Sequence, residues 1–154
     1  MKLQIAAALS HKAELLIMDE ATAGLDPVFR NELLDIFLEY LQNENNSIFM
    51  SSHILSDIEK ISDSVTFINK GKITLSGNKD DIIENHAVIK CKKSDFQNID
   101  KADVISFRVN DYYAEALVND RSKCSVKYSG LTFDAATLEE IMLFYVNRDK
   151  GEWF

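Results

Sequence analysis

Hydrophobic positions follow two regimes along this chain. In the first, short apolar runs alternate with stretches whose apolar residues recur every three or four positions. Met1 to His11 carries Leu3, Ile5, Leu9 and three consecutive alanines, and reads as a helix already under way at Met1. Glu14 to Met18 is too short and too uniformly apolar for a surface helix and predicts a buried strand. Asp26-Pro27 starts the next helix: the Asp accepts orphan N–H groups and the Pro loses nothing in the first turn. Phe29, Leu33, Ile36, Phe37, Tyr40 and Leu41 give that helix one apolar face, and Asn43 to Asn46 end it. Ser47 to Ser51 is a second buried strand, and Ile54, Leu55, Ile58 and Ile61 mark another amphipathic helix. A strand, a helix and a strand in that order predict a parallel pair joined by a right-handed crossover. Ser64 to Gly77 alternates around Lys70-Gly71 as a hairpin, expected to close the parallel half, and Asn78 to Glu84 reads as a capped short helix.

From Ala87 the second regime begins. Ala87 to Lys92, Val104 to Asn110 and Tyr113 to Asn119 alternate as strands, with a short helical turn near Ser94 to Ile99 and a turn at Asn110-Asp111. Ser125 to Asp134 reads as extended. Thr137 to Val146 predicts a helix with Leu138, Ile141, Met142 and Tyr145 on one face, opened by a Thr137–Glu140 capping box. These elements describe a small α+β module.

Composition narrows the function classes. The 154 residues carry a net charge of −8, which argues against a nucleic-acid backbone as partner. No apolar run approaches the roughly 20 residues needed to span a bilayer, so no direct membrane insertion is expected. Cys91 and Cys124 fit no metal-ligand spacing and read as reduced thiols of a cytosolic protein. His11 and His86 match no motif and are expected at the surface, and Lys90, Lys92 and Lys93 form a solvated face.

The chemistry concentrates at Glu14 to Pro27, ELLIMDEATAGLDP. Four apolar residues run straight into Asp19 and Glu20, and the predicted crossover puts both acids and His53 at the carboxyl ends of two parallel strands. Open α/β sheets bind ligands along that edge. An apolar strand ending in two acids suits a nucleotide site, in which one carboxylate holds Mg²⁺ and the other orients or deprotonates water. Taken alone, the same pattern also describes a strand ending in a solvated turn.

LLIMDEATAGLDP resembles the Walker B motif and D-loop of the ATP-binding-cassette (ABC) ATPases, and SSHIL resembles their H-loop at a fitting distance. SVTFINKGKITLSG is similar to the hairpin that follows in that family, and MKLQIAAALSHKAE to the helix after the signature motif, with Met1 at the last signature position, where Gln is usual. Ala21 departs from the usual Pro, which affects loop stiffness and removes no chemistry. The resemblance implies an α/β fold, the C-terminal part of a P-loop NTPase parallel sheet over residues 1–84, followed by an α+β accessory module over 85–154. TLEEIMLFYV in that module is similar to the accessory region of the subgroup that energises small exporters.

Carried over, Asp19 would hold Mg²⁺, Glu20 would be the base for water and His53 would contact the γ-phosphate of ATP. Asp26 would couple across the interface with a second nucleotide-binding subunit. Transmembrane permease subunits would be the other partners, holding the protein at the inner face of the cell membrane from the cytoplasmic side. Asp26 is equally explained as a helix cap; for His53 the lesser alternative is a satisfied strand-end histidine.

A phosphate cradle needs GxxxxGK[ST] feeding a helix N-terminus. Gly71-Lys72 is the only Gly-Lys pair in the sequence and lies in a predicted hairpin turn. The expectation is a C-terminal piece of a longer ATPase, inactive alone. A non-catalytic interaction or dimerisation module is the alternative. A chromosome-organising ATPase would share the two acids and the D-loop, but the immediate hairpin, the compact tail and the lack of heptads argue against it.

Overall fold

The computed structural model describes residues 2–11 and 13–147. Met1, with its place in the resemblance to a signature motif, lies outside them. The chain divides into two compact units, one ending at Ser62 and the other beginning at Asp63.

The first unit holds α1 (Lys2–Ser10), β1 (Leu15–Asp19), α2 (Pro27–Tyr40), β2 (Ser47–Ser51) and α3 (Leu55–Ile61). β1 and β2 pair in parallel, from Leu15 opposite Ser47 to Asp19 opposite Ser51, as the crossover pattern predicts. α2 starts where Asp26 and Pro27 dictate: the Asp26 carboxylate accepts the Phe29 N–H at 3.0 Å. It ends in the asparagine turn, where the Asn46 side chain donates to Tyr40 O at 2.9 Å. The helix buries Leu33, Leu34 and Phe37. Each such side chain contributes about 1.5–3 kcal/mol relative to exposure. Ile36, expected on that face, is exposed, and Leu34 takes its place. The core continues through Ile5 and Ala21, with Met18, Ile48 and Met50 half-buried against it.

Both strands were expected to be buried throughout. Instead their alternate residues Ile17 and Phe49 are 73% and 71% exposed, because successive side chains of a strand point to opposite faces and only one face is covered among the described residues.

The second unit opens with a hairpin, β3 (Ser64–Asn69) and β4 (Lys72–Asn78), as expected. Its two-residue turn has φ of +49° at Lys70 and +74° at Gly71, the left-handed pair that suits the strand twist. The Asn78 side chain then caps α4 (Lys79–Asn85) by accepting the Asp80 and Asp81 N–H groups. There follow β5 (Ala87–Lys92), α5 (Lys93–Phe96), a 3₁₀ turn (Lys101–Asp103), β6 (Val104–Val109), β7 (Tyr113–Val118), α6 (Arg121–Lys127), β8 (Thr132–Ala135) and α7 (Leu138–Val146). The four strands β5 to β8 form one antiparallel sheet in the order β6-β7-β5-β8. Ala87, Ile89, Cys91, Ala114, Ala116 and Val118 pack with Phe96, Ile99 and Cys124. α7 carries the expected capping box and buries Leu138, Ile141 and Phe144.

These pairings overturn the expected fold class. Among the described residues, parallel pairing is confined to β1 and β2, and the other six strands lie in two antiparallel sheets. A parallel neighbour needs a long crossover, and only β1–α2–β2 supplies one. The hairpin closes on itself and forms its own sheet, so it does not extend the parallel pair. This is not a P-loop NTPase parallel sheet.

Two local expectations also fail. Ser125 to Lys127 is the end of α6, capped by the Asp120 carboxylate on Lys123 N, and only Thr132–Ala135 of the predicted extended run is strand. His86 is buried, 4% exposed. α4 hands the chain to β5 with a single intervening residue, so that residue is carried into the interior.

Candidate functional site

The parallel register brings the carboxyl ends of β1 and β2 side by side. Asp19 closes β1, opposite Ser51, and Glu20 follows at once. Glu20 adopts φ of +49°, a left-handed conformation costing a non-glycine residue about 1 kcal/mol. Hydrogen bonds hold it there. Its N–H donates to the carbonyl of Ser51 at 3.1 Å and to the Ser51 hydroxyl at 3.2 Å, while its carbonyl accepts from Ala23 N at 3.1 Å. The turn continues through Thr22 and Gly24, whose φ of +70° favours glycine, and runs into the Asp26 cap.

Two side chains converge on the acids. The Ser51 hydroxyl donates to Asp19 Oδ1. His53, two residues beyond β2, donates from Nδ1 to Glu20 Oε2 at 2.7 Å, which leaves its Nε2 for another group. Their side chains are 71% and 39% exposed, so the pair lies open to a ligand. Asp26 is tied to its own helix by the capping bond to Phe29, and no hydrogen bond joins it to the cluster.

Behind the site, α2 and α3 are clamped. Arg30 Nε donates to both oxygens of Asp57, at 2.7 and 3.0 Å, and its Nη2 reaches Asp57 and Ser56 Oγ. The Asp57 carboxylate is 1% exposed, and a buried charge needs such pairing. The clamp joins the helix that follows the Asp26 turn to the helix that follows His53.

Sequence reasoning overlooked Ser51, Arg30 and Asp57. Ser51 could have been found by laying LLIMD against SIFMS in parallel register, which sets Ser51 opposite Asp19. Nothing in the spacing of Arg30 and Asp57 announces their contact.

Asp19 suits one position in a Mg²⁺ shell. It is exposed and keeps one oxygen clear of the Ser51 bond. No group of three or more His, Cys, Asp or Glu residues able to hold a metal occurs among the described residues. Mg²⁺ is commonly held by one or two carboxylates, with phosphate oxygens and water completing its octahedron, so a lone exposed carboxylate fits that use.

No protein-family model matches the chain. It is 36% identical over 100 residues, 65% of its length, to a putative ABC transporter ATP-binding protein of Mycoplasma pneumoniae, covering 31% of that protein. It is 47% identical over 72 residues to the bacitracin transport ATP-binding protein BcrA of Bacillus licheniformis, 47% of this chain and 24% of that one. A lantibiotic transport ATP-binding protein, SrtF of Streptococcus pyogenes, is 46% identical over 74 residues, 48% of this chain and 32% of its own length. The matches span about a quarter to a third of these curated relatives. Over the matched part, the chain is similar to ABC-transporter ATP-binding proteins.

Proposed function

We propose that this chain is part of the ATP-binding and ATP-hydrolysing subunit of an exporter-type ABC transporter, carrying the Walker B, D-loop and H-loop elements. Residues 1–84 are the nucleotide-binding portion and residues 85–154 an accessory module. The observation that carries this reading is the 2.7 Å contact between Glu20 and His53 beside the exposed Asp19 carboxylate. The exporter assignment also draws on relatives named for bacitracin and lantibiotic transport.

In this reading Glu20 takes a proton from the water that attacks the γ-phosphorus of ATP, and the P–O bond to ADP breaks as phosphate forms. His53, held by Glu20 through Nδ1, presents Nε2 to the γ-phosphate. Asp19 would hold Mg²⁺, which would supply positive charge to offset that of the phosphates. Asp26 ends the turn that faces a second nucleotide-binding subunit, in addition to capping α2. Permease subunits place the assembly at the cytoplasmic face of the membrane; no helix among the described residues is long and apolar enough to cross it. The sequence contains no GxxxxGK[ST] run to cradle phosphates, so the 154-residue chain alone is expected to turn over no ATP.

The test uses the intact transporter subunit with its phosphate-binding loop. Glu20→Gln is expected to cut turnover by about 10²-fold or more while ATP stays bound, since losing a general base acts mainly on the chemical step. Unchanged turnover would remove Glu20 from its role. One observation favours a second reading, a non-catalytic interaction or dimerisation module: the exposed apolar pair Ile17 and Phe49, directly opposite in the parallel register.

A further inference from the structure

We propose that Ser51 is the positioning residue of this site, one hydroxyl that sets the geometry of both acids; the inference rests on the reading of Asp19 and Glu20 given above. The direction of its hydrogen bonds is fixed by chemistry. The Glu20 N–H can only donate, so toward it the Ser51 hydroxyl accepts, at 3.2 Å. Its single proton is thereby left for Asp19 Oδ1, which it donates to. Asp19 is consequently held with one oxygen turned to β2 and the other free for a cation. The same oxygen steadies the Glu20 amide in the left-handed turn from which the Glu20 carboxylate meets His53.

Register is what makes this possible. Asp19 and Ser51 are the last partners of the parallel ladder, so their side chains leave the same face of adjacent strands at the same level. A residue earlier or later in β2 would point to the opposite face. Ser51 touches no reacting atom in this scheme and acts through the two acids.

The consequence is measurable on the labelled 154-residue chain without any turnover. Couplings from the backbone to Asp19 Cγ report whether its side chain holds one χ1 rotamer, and Mn²⁺, added alone as a stand-in for Mg²⁺, broadens amides near its site. Wild type and Ser51→Thr, which keeps the hydroxyl, are expected to show a single Asp19 rotamer and similar Mn²⁺ midpoints at the Asp19 and Glu20 amides. Ser51→Ala is expected to show averaged couplings and a midpoint raised about tenfold, the lower end of what lost outer-shell partners cost metal sites. Ser51 is exposed, so its replacement leaves the core intact. A single rotamer in a folded Ser51→Ala chain would overturn the proposal. Averaged couplings in Ser51→Ala, with no Mn²⁺ broadening in any variant, would uphold the positioning by Ser51 and count instead against Asp19 as a metal ligand.

Discussion

Two acidic clusters in this chain use the same side chains to opposite ends. In the second unit Asp103 is 7% exposed and saturated with donors: Lys123 Nζ at 3.0 Å, Lys127 Nζ at 2.5 Å and the Tyr128 hydroxyl at 2.8 Å. Asp100 joins through Lys127 at 3.3 Å, and its N–H donates to the same Tyr128 oxygen. In the first unit Asp19 and Glu20 each have one side-chain partner, Ser51 and His53, and no lysine or arginine bridges to them among the described residues. An acid surrounded by donors is holding helix α6 to the 3₁₀ turn before β6. An acid left mostly open at the end of a strand has capacity to spare for a ligand. Acid count or charge alone would rank the two clusters alike; partner count separates them.

The sharpest way to break that contrast is to delete each acid. Asp103→Ala strands two lysines and a tyrosine hydroxyl and is expected to lower the melting temperature by roughly 5 °C or more, whereas Asp19→Ala should shift it by less than about 2 °C. Equal losses in thermal melts would erase the distinction. The effect has a pH signature. Hydrogen bonds from Lys127 first, then Tyr128 and Lys123, hold the Asp103 carboxyl far below the usual carboxylate range. The folded state therefore binds this proton less readily than the unfolded chain, whose carboxyl titrates near pH 4. The stabilisation is fully present above about pH 4 and is lost as pH falls further. Asp103→Asn should flatten that acid slope.

A smaller effect lies nearer neutrality, at His86. Burial pushes its imidazole below the usual histidine range, against an opposing hydrogen bond to the Ile82 carbonyl. Nδ1 donates to Ile82 O at 2.7 Å, and Nε2 accepts from the Tyr145 hydroxyl at 3.2 Å, the pattern of a neutral ring. The unfolded chain gains a proton near pH 6.5 that the folded one resists. Stability from this residue is thus present above about pH 6.5 and declines as pH drops below it. A melting temperature that is flat from pH 7 to 5, or one whose slope is unchanged in His86→Gln, would show that the ring is protonated in the fold.

How much of this was legible follows the same physical line. The capped helices announced themselves, because Asp26-Pro27 and Thr137–Glu140 are local chemistry. The parallel pairing of β1 and β2 was readable from their order, and so was the hairpin from Lys70-Gly71. The sheet architecture was not: which strands pair beyond a short turn depends on distant faces, and the family resemblance suggested a parallel sheet that the pairing contradicts. α6 escaped because Val126, Tyr128, Leu131 and Phe133 imitate alternation, although Asp120 ahead of them was a cap in plain view. Val126 is in fact 80% exposed. At the site, Asp19, Glu20 and His53 stood out by type, whereas Ser51 is an ordinary strand residue until the register is known.

The smallest predicted effect tests the open site from within. Thr22, in the turn between Glu20 and Asp26, is 1% exposed, and its hydroxyl has no hydrogen-bond partner among the described residues. Burying an unsatisfied hydroxyl costs about 1–3 kcal/mol, the reverse of the saturated Asp103 cluster. Thr22→Val keeps the branched shape and the volume while removing the orphan oxygen, so the first unit should gain roughly 1 kcal/mol or less. Thr22→Ser, which keeps the hydroxyl and loses the methyl, should instead be destabilised, and comparing the two in urea melts separates polarity from packing. A destabilised Thr22→Val would mean that the hydroxyl is satisfied in solution, and the contrast between an open and a saturated region would then rest on the acids alone. If the transporter subunit proposed above hydrolyses ATP more slowly with a stabilising Thr22→Val, the orphan hydroxyl belongs among the features that serve the site at the expense of the fold.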